Sequence, residues 1–336
     1  SVLYKTLAKG LRSQGADVTV ISQQDCDIKG VKSITLPPEK DPFRYADLVS
    51  ESIKSNSFDI VECSSWRFEL LTFLKSPHRT TKAIVRCDPT THTLFGAGHP
   101  YVAAEKATIK HADFRVAVSQ FAKRDVQSAY GIAVDDVIFN GIELSEFDNL
   151  KDWTWTLFLE AIPEIEVPTK DETVVVWVGK PTRMKGFDIF QEIVARAPRS
   201  VKFYAVVGPV PNPLPWNSAS EKKIQILTEL PRPLYLALLS LADVGLITSR
   251  WEGFSYVCAE MLVGNLPVLC NRSCEVVREF NSSSIQFFDS DLSGALEEPS
   301  LWQTLAKKKR SKSFANLSSE RMARRTMEIY KRCLEQ

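Results

Sequence analysis

The 336-residue sequence has almost no net charge, because 42 lysines and arginines are balanced by 41 aspartates and glutamates. That balance argues against a dedicated nucleic-acid-binding protein, whose surface would be strongly basic. No apolar run reaches the roughly 20 residues that a membrane-spanning helix needs, and the first residues lack the pattern of a secretory signal peptide. We therefore expect a cytoplasmic protein, with peripheral association at the inner face of a membrane as a further expectation.

The cysteines have none of the spacings that mark a metal site or a disulfide framework. There are seven of them, an odd number, and no two form a C-x-x-C pair. Most lie in apolar runs, so we interpret them as small buried hydrophobic residues in a reducing compartment. The sequence therefore predicts no metal site.

What the sequence does have is a regular alternation of helices with short strands rich in Val and Ile. The predicted strands cover residues 18–21, 34–36, 59–63, 83–87, 114–118, 137–139, 174–178, 202–207, 223–227, 244–248, 266–270 and 285–288. Strands without polar alternation are typical of parallel sheets buried on both faces. Two such series in succession predict an α/β protein with two doubly wound, Rossmann-like domains facing a central cleft.

We place the first domain at residues 1–150 and the second at 151–318, and we expect the C-terminal helix in 319–336 to pack back on the first domain. Residues 144–170 have no clean period, so we interpret them as an interdomain connection. The chain opens with a helical pattern at 2–12. A doubly wound sheet normally opens with a central strand, so we expect that strand and its loop to be absent from this sequence.

A basic loop follows the first strand of the second half, where the chain reads WVGKPTRMKGF. Lys180, Arg183 and Lys185 precede Gly186 and a predicted helix. A helix N-terminus with cations nearby is a good site for phosphate. A solvated basic loop explains the same residues, and this pattern alone does not decide between the two.

A second loop, TSRWEGFSYVCAE, connects a buried strand to a helix and carries Glu252 and Glu260. Glu260 lies about five residues inside the helix, roughly 7.5 Å along its axis. Two carboxylates so separated can hold hydroxyl groups at opposite ends of one ligand, with the free N–H groups of residues 253–255 between them. A sugar–diphosphate–ribose chain has that layout. The alternatives are a helix-start acid for Glu252 and an exposed helical position for Glu260, although the neighbours of Glu260 are apolar.

Together these segments resemble glycosyltransferase family 4, whose members are retaining enzymes with the GT-B fold. Glu252 and Glu260 resemble the E-x7-E motif of that family. Four other segments resemble its motifs in the right order: ADFRVAVS at 112–119, VIFNGIE at 137–143, VGK followed by KGF at 178–187, and GNLPV at 264–268. The resemblance covers about residues 1–290.

The resemblance implies a hexosyltransferase of polysaccharide or glycoconjugate biosynthesis. Its donor would be a nucleotide-sugar, such as a UDP-sugar or a GDP-sugar, and its acceptor a hydroxyl group of a sugar, a lipid-linked molecule or another compound. The family retains the anomeric configuration and requires neither a metal nor another cofactor. Asp289-Ser-Asp291 spells the metal-binding D-x-D pattern of a different glycosyltransferase fold, but we interpret it as a loop. The donor base, the donor sugar and the oligomeric state are not predicted.

The resemblance also implies residue roles in the donor site. Glu260 would bind the ribose hydroxyls, Lys185 the diphosphate and Glu252 the donor sugar. Lys180 stands where the family usually has arginine, so it would bind as a point charge, with Arg183 as the compensating cation. The backbone amides that would help to hold the donor are those of Gly253, Phe254 and Ser255.

The first domain departs from the family pattern. Where the family often has a histidine just after a strand, this sequence has Asp88, and His92 follows four residues later. We predict that one of the two faces the transferred sugar or the acceptor hydroxyl. The alternative is that Asp88 caps a turn before Pro89 and that His92 is an ordinary loop residue.

Two other functions remain open at this point. A sugar-nucleotide epimerase with the same fold would need no acceptor. A catalytically inactive scaffold would keep the fold without turnover, and the changes at Asp88 and Lys180 are the features that favour it. The E-x7-E pattern followed by GNLPV favours the transferase.

Overall fold

The computed structural model describes residues 2–77, 79–208, 224–289, 296–308 and 314–335. The chain divides into two compact units. Unit 1 consists of Ser1–Ile142 together with Ala315–Gln336, and unit 2 is Glu143–Phe314. Unit 2 thus begins at residue 143 rather than at the predicted residue 151, and it ends at residue 314 rather than at the predicted residue 318. Unit 1 is assembled from both ends of the chain.

Unit 1 contains two parallel sheets. Its strands are β1 (Thr19–Ser22), β2 (Lys32–Thr35), β3 (Ile60–Ser64), β4 (Lys82–Cys87), β5 (Phe114–Ala117) and β6 (Asp136–Val137). The order β3-β4-β5-β6 forms one sheet, and β1 pairs with β2 in the other. Helix α1 (Val2–Ser13) precedes these strands, and the helices between them are α2 (Pro42–Lys54), α3 (Leu71–Leu74), α4 (Thr91–Phe95), α5 (Val102–His111) and α6 (Gln120–Tyr130).

Helix α6 shows how local sequence sets the limits of these elements. The Ser119 hydroxyl accepts a hydrogen bond from the Ala122 N–H at the first turn, which satisfies one of the unpaired donors of a helix start. Gly131 ends the helix with φ of 69°, a left-handed conformation that glycine adopts without steric cost. The buried residues Ala122, Val126 and Tyr130 recur every four positions, so one face of α6 packs inward.

Unit 2 contains one six-stranded parallel sheet. Its strands are β7 (Thr173–Gly179), β8 (Val201–Val207), β9 (Ile224–Thr228), β10 (Val244–Ile247), β11 (Val268–Asn271) and β12 (Ile285–Phe288). Their order is β12-β11-β10-β7-β8-β9, which is the Rossmann order with its switch point between β7 and β10. The helices are α7 (Trp155–Ala161), α8 (Phe187–Arg196), α9 (Arg232–Leu241), α10 (Tyr256–Val263) and α11 (Pro299–Ala306). The predicted class, an α/β protein with two Rossmann-like domains, is confirmed.

The segment predicted to be an interdomain connection is instead part of unit 2. It contains helix α7 and two 3₁₀ turns, Leu144–Phe147 and Leu150–Asp152. Trp155 stacks on the ring of Tyr204 in β8, with ring centroids 5.3 Å apart. The period was unclear because this short helix buries Phe158 alone among its residues, and one buried side chain gives no repeating pattern.

Helix α12 (Ser319–Leu334) completes unit 1 by packing against α1. The two helices approach closely at Gly10, where an added Cβ would lie 2.6 Å from Cβ of Ala323. Helix α12 also lies close to Gly141, where an added Cβ would be 2.4 Å from Cα of Ser319. Among the residues that the structure describes, no helix is both long and apolar enough to cross a membrane.

Candidate active site

The predicted donor-binding loop lies at the switch point of the unit 2 sheet. It connects β7 to α8 and is fastened to the end of β10, since Thr248 Oγ1 donates a hydrogen bond to the Lys185 carbonyl at 2.8 Å and the Arg250 N–H donates to the Met184 carbonyl at 2.9 Å. Trp177 Nε1 donates to the same Thr248 hydroxyl. The loop is thus positioned by a buried tryptophan and by the strand beside it.

Gly186 allows this close approach. Its φ is 63°, and an added Cβ would lie 1.9 Å from the Thr248 carbonyl oxygen. Any other residue would both clash and adopt a left-handed conformation. The predicted KGF motif therefore contains a glycine that the packing of the loop requires.

Lys185 and Glu252 form an ion pair at the centre of the site. Lys185 Nζ lies 2.7 Å from Glu252 Oε2, and the Ser249 hydroxyl donates to Glu252 Oε1 at 2.8 Å. Their side chains are 23% and 13% exposed, so both charges are mostly removed from water. The structure thus brings together the residue predicted to bind the diphosphate and the residue predicted to bind the donor sugar.

Glu260, the second carboxylate of the motif, is buried within α10 and is also partnered. Arg232 Nη1 lies 2.5 Å from Oε1, and the Tyr235 hydroxyl donates to Oε2 at 2.6 Å. Arg232 binds a second carboxylate, that of Glu146, through Nη2 at 2.7 Å. Glu260 is thus buried and partnered, so it does not occupy the exposed helical position that was the alternative.

Burial and charge shift the pKa values of these partners. Burial raises the pKa of Tyr235 well above its usual value, and the adjacent carboxylate of Glu260 raises it further. Burial alone would lower the pKa of Arg232, but the carboxylates of Glu260 and Glu146 outweigh it and raise the pKa. Arg232 therefore stays charged, Tyr235 stays protonated, and both donate hydrogen bonds to Glu260.

The N-terminus of α10 lies between the two carboxylates along the chain. Ser255 is its N-cap residue, but the side chain caps no N–H group of the helix. Its hydroxyl is buried and has no hydrogen-bond partner among the described residues. A buried hydroxyl without a partner is costly, so this atom is suited to a ligand at the helix N-terminus. The side chain of Phe254 packs on Phe280, so only its backbone could contact a donor, as it could at the partly exposed Gly253.

The other two cations of the loop are exposed to solvent. The side chains of Lys180 and Arg183 are exposed, so neither charge is buried in the site. The backbone carbonyl of Arg183 accepts a hydrogen bond from Arg250. Arg250 is itself paired with Asp188 in the first turn of α8 at 2.7 Å. Of the three predicted phosphate-binding cations, Lys185 is therefore the one held in place by the surrounding structure.

Asp88 and His92 lie in unit 1, at the carboxyl end of β4. Asp88 accepts a hydrogen bond from the Ser64 hydroxyl at 3.0 Å. Burial raises the pKa of Asp88, although the bond from Ser64 opposes that shift. His92 is partly exposed within α4, and its ring meets the ring of Tyr130 edge-on, with centroids 6.5 Å apart. Both residues lie at the sheet edge where ligands of doubly wound domains bind.

Sequence reasoning missed Arg232 and Tyr235 as partners of Glu260, and Glu146 as the second carboxylate bound by Arg232. Arg232 opens α9, which follows β9, and no motif connects that segment with the E-x7-E loop. A weak signal existed, since an arginine and a tyrosine three residues apart lie on one face of a helix. For the D-x-D segment, Asp289 is paired with Arg272, and Asp291 lies outside the described residues.

A known protein family and several solved structures resemble this chain. Residues 1–146 match the family model described as Glycosyltransferase Family 4. The resemblance predicted from the motifs is thereby confirmed over that part of the chain. A search of curated proteins finds no match.

Solved structures agree with the fold over almost the whole chain. A glycosyltransferase from Rickettsia africae ESF-5 has a TM-score of 0.72 at 20% identity, covering 100% of this chain and 95% of that one. HepE from Anabaena, in complex with UDP and glucose, has a TM-score of 0.74 at 16% identity, with 98% and 95% covered. A sucrose-phosphate synthase from Thermosynechococcus elongatus has a TM-score of 0.75 at 15% identity, with 98% and 92% covered. At these identities the similarity shows the fold, which is GT-B.

Proposed function

We propose that this protein transfers a sugar from a nucleoside-diphosphate-sugar to a hydroxyl acceptor, with retention of anomeric configuration. The observation that carries the proposal is the arrangement at the switch point of unit 2. There Lys185, Glu252 and the unpartnered hydroxyl of Ser255 stand at the carboxyl ends of β7 and β10. Phosphate, sugar and ribose groups require a cation, a carboxylate and free donors in that part of such a fold.

In this proposal Lys185 is the cation that binds the donor diphosphate. As the bond between the sugar C1 and the phosphate oxygen breaks, negative charge develops on the leaving diphosphate. Lys185 stabilises that charge, together with the N-terminus of α10 at Ser255. Because Lys185 is paired with Glu252 at 2.7 Å before the donor binds, the diphosphate must compete for a cation that already has a partner. Lys180 and Arg183, both exposed, contribute longer-range attraction.

The two carboxylates have separate roles in the proposal. Glu252 accepts hydrogen bonds from hydroxyls of the donor sugar, with the amides of Gly253 and Phe254 beside it. Glu260 accepts hydrogen bonds from the ribose hydroxyls while Arg232 and Tyr235 hold it in position. Uridine is a reasonable first choice of base, because a solved structure with this fold, HepE, is in complex with UDP.

The chemical step follows from retention. The acceptor hydroxyl oxygen bonds to C1 on the face that the leaving phosphate departs from, through an oxocarbenium-like transition state. Its proton passes to an oxygen of the leaving diphosphate, so no strongly basic protein group is required. Asp88 or His92 positions the acceptor hydroxyl or the transferred sugar. The inferred location is cytoplasmic, and no metal or other cofactor takes part.

The proposal is tested by nucleotide binding and then by turnover. A ligand that binds the folded state raises the thermal midpoint, so we would measure midpoints with UDP, GDP, ADP and their glucose conjugates. One nucleotide is expected to give a clear increase, and Glu260→Gln and Glu252→Gln are expected to reduce it. Incubation with the matching sugar nucleotide should then release free nucleoside diphosphate, and both variants should release it more slowly.

Glu192→Gln is the matched control, because Glu192 lies on the exposed surface of α8 and makes only a 3.9 Å contact with Arg196. It should leave binding and turnover unchanged. Absence of a midpoint shift with every nucleotide would refute the donor site. Binding without turnover would favour an inactive scaffold, and interconversion of two sugar nucleotides without an acceptor would favour an epimerase.

A further inference from the structure

Unit 1 carries a group of exposed aromatic side chains. Phe43, Trp66 and Phe95 are 43%, 41% and 56% exposed. Large apolar side chains exposed singly are ordinary, but a connected group on one surface indicates a binding site. These three side chains come from three different segments of the chain, so the fold is what assembles them.

The rings form a continuous strip. The centroid of Trp66 lies 5.9 Å from that of Phe95, Phe95 lies 5.0 Å from His99, and His99 lies 5.0 Å from Tyr101. Tyr101 lies 6.2 Å from Phe43. We call these five residues the aromatic strip. Each separation is in the range of interacting rings.

The aromatic strip lies at the ligand-binding edge of the unit 1 sheet. Trp66 follows the end of β3, and Phe95 ends α4, the helix that follows β4. The strip also adjoins the predicted catalytic position, because the Ser64 hydroxyl donates to Asp88 and accepts a hydrogen bond from the Trp66 N–H at 3.1 Å. The Ser64 hydroxyl thus links the backbone of Trp66 to the carboxylate of Asp88.

The backbone that presents Trp66 is strained. Arg67 and Phe68 have φ values of 64° and 45°, in the left-handed region that residues with a side chain rarely adopt. Such a conformation persists only when its surroundings hold it in place. The consequence here is that Phe68 is fully buried while Trp66, two residues earlier, points outward. Strain of this kind is concentrated at functional sites.

The charges around the strip argue against an anionic membrane as its occupant. Three acidic and three basic residues lie in the segments that carry Phe43 and Trp66, namely Glu39, Lys40, Asp41, Arg44, Arg67 and Glu69. A surface that binds anionic lipid has an excess of Lys and Arg. This one has no excess, so an uncharged occupant fits it better.

A sugar ring has the required chemistry. One face of a pyranose presents several C–H groups, which pack against the negative face of an aromatic ring, while its edge presents hydroxyls. His99 supplies a polar group within the strip, and Asp88 and His92 lie at the same edge of the sheet. Apolar platforms with a few polar groups are typical of small-ligand sites. We propose that the aromatic strip binds a pyranose unit of the acceptor, so that the acceptor is itself a glycan. This inference rests on the proposed transferase function and specifies its acceptor class.

The test is saccharide binding in the absence of donor. Maltotriose, mannotriose and chitotriose would be titrated into the full chain, with binding measured by saturation-transfer NMR and calorimetry. At least one trisaccharide is expected to bind, and Trp66→Ala and Phe95→Ala should each weaken it roughly three- to ten-fold, the loss of one ring contact of 0.5–1.5 kcal/mol. Leu157→Ala, which removes a 45% exposed apolar side chain from unit 2, should have no effect.

Nucleotide binding measured on the same variants separates the two proposals. If UDP or another nucleotide binds but no trisaccharide does, the inference fails and the transferase proposal stands. If a trisaccharide binds through the strip while no nucleotide binds, the strip is a saccharide site on a protein that is not a transferase. Equal trisaccharide affinity of the Trp66→Ala, Phe95→Ala and Leu157→Ala variants would overturn the inference. So would strip-dependent binding to vesicles of phosphatidylcholine and phosphatidylglycerol without saccharide binding.

Discussion

Glu252 and Glu260 are both neutralised by cations of the same unit before any donor is present. Lys185 is the partner of Glu252, and Arg232 is the partner of Glu260. A buried carboxylate without a partner destabilises the fold, and each of these cations provides such a partner. In the proposed function, the hydroxyls and phosphates of the donor would therefore have to replace or share these two ion-pair contacts.

Tyr235→Phe tests whether the position of Glu260 matters for nucleotide binding. The change removes one 2.6 Å hydrogen bond to a buried carboxylate, and hydrogen bonds to charged groups contribute about 2 kcal/mol. We expect a loss of roughly that size in the free energy of unfolding, measured with urea. We also expect nucleotide affinity, measured by calorimetry, to fall roughly three- to ten-fold because Glu260 is less firmly held.

Tyr204→Phe is the control for this prediction. Tyr204 lies in β8 of the same unit, and its hydroxyl donates to the Glu166 carbonyl at 2.6 Å. The variant should therefore lose about 1 kcal/mol of stability. Nucleotide affinity should not change. Equal affinities in the two variants would mean that Tyr235 stabilises unit 2 without positioning Glu260.

The motif residues could be predicted from the sequence, but most of their partners could not. Glu252, Glu260 and Lys185 lie in short local patterns, and the family resemblance of those patterns is what implies their roles. Arg232 contacts Glu260 across a separation of 28 positions, and Glu146 joins them from a segment that looked like a connection. Such contacts depend on how helices pack on the sheet, and hydrophobic periodicity does not give the distance between two helix ends.

Among the secondary-structure elements, the connection between β7 and α8 is the one on which the proposed donor site depends. It presents Lys185 because its backbone is fixed to the end of β10 through Thr248 and Arg250. The exposed residues Arg183 and Met184 contribute to that attachment through their backbone carbonyls. The glycine at its end contributes much, because it permits backbone contact with the neighbouring strand.

Gly186→Ala is expected to disrupt this connection. The added methyl would meet the Thr248 carbonyl at 1.9 Å in a residue whose φ is 63°. Overpacking costs about 1–3 kcal/mol and a left-handed alanine about 1–2 kcal/mol more, so unit 2 should lose about 3 kcal/mol in the free energy of unfolding. Nucleotide-induced stabilisation in thermal melts should disappear with it.

Gly15→Ala separates the two contributions. Gly15 has φ of 89° but nothing within 4 Å of an added Cβ, so only the backbone cost of about 1 kcal/mol applies. This variant should bind nucleotide normally. If the two variants were equally stable, the contact between Gly186 and Thr248 would not be a rigid one.

For the molecule as a whole, the alternation of strands and helices was enough to predict two doubly wound domains. The expected domain limits, 150 and 318, differ from the unit limits, 142 and 314, while the C-terminal helix lies in unit 1, the domain on which it was expected to pack. That assignment depends on tertiary contacts, among them a fully buried Arg86 that pairs with Glu62 at 2.7 Å and donates to Thr326 of α12.

Tyr330 adds a further link, since its hydroxyl donates to Glu62 at 2.9 Å. Removing α12 would thus leave a buried arginine–glutamate pair with fewer partners, and breaking such networks is strongly destabilising. Helix α12 is therefore predicted to be part of the cooperative core of unit 1, although 172 residues of unit 2 separate it in sequence from the rest of that unit.

Ala323→Leu tests this directly in the full chain. Ala323 is fully buried against Gly10, so leucine would force α1 and α12 apart at a cost of about 3 kcal/mol. Arg324→Leu, at the adjacent exposed position, should change stability by at most about 0.5 kcal/mol. Hydrogen exchange followed by peptide mass spectrometry should show lost protection in α1, α12, β3 and β4 of the Ala323 variant, with β7 to β12 unchanged, because each unit has its own core. Equal loss of protection in β3 and β4 and in β7 to β12 would mean that the two units unfold as a single cooperative body. Helix α12 would then not stabilise unit 1 separately from unit 2.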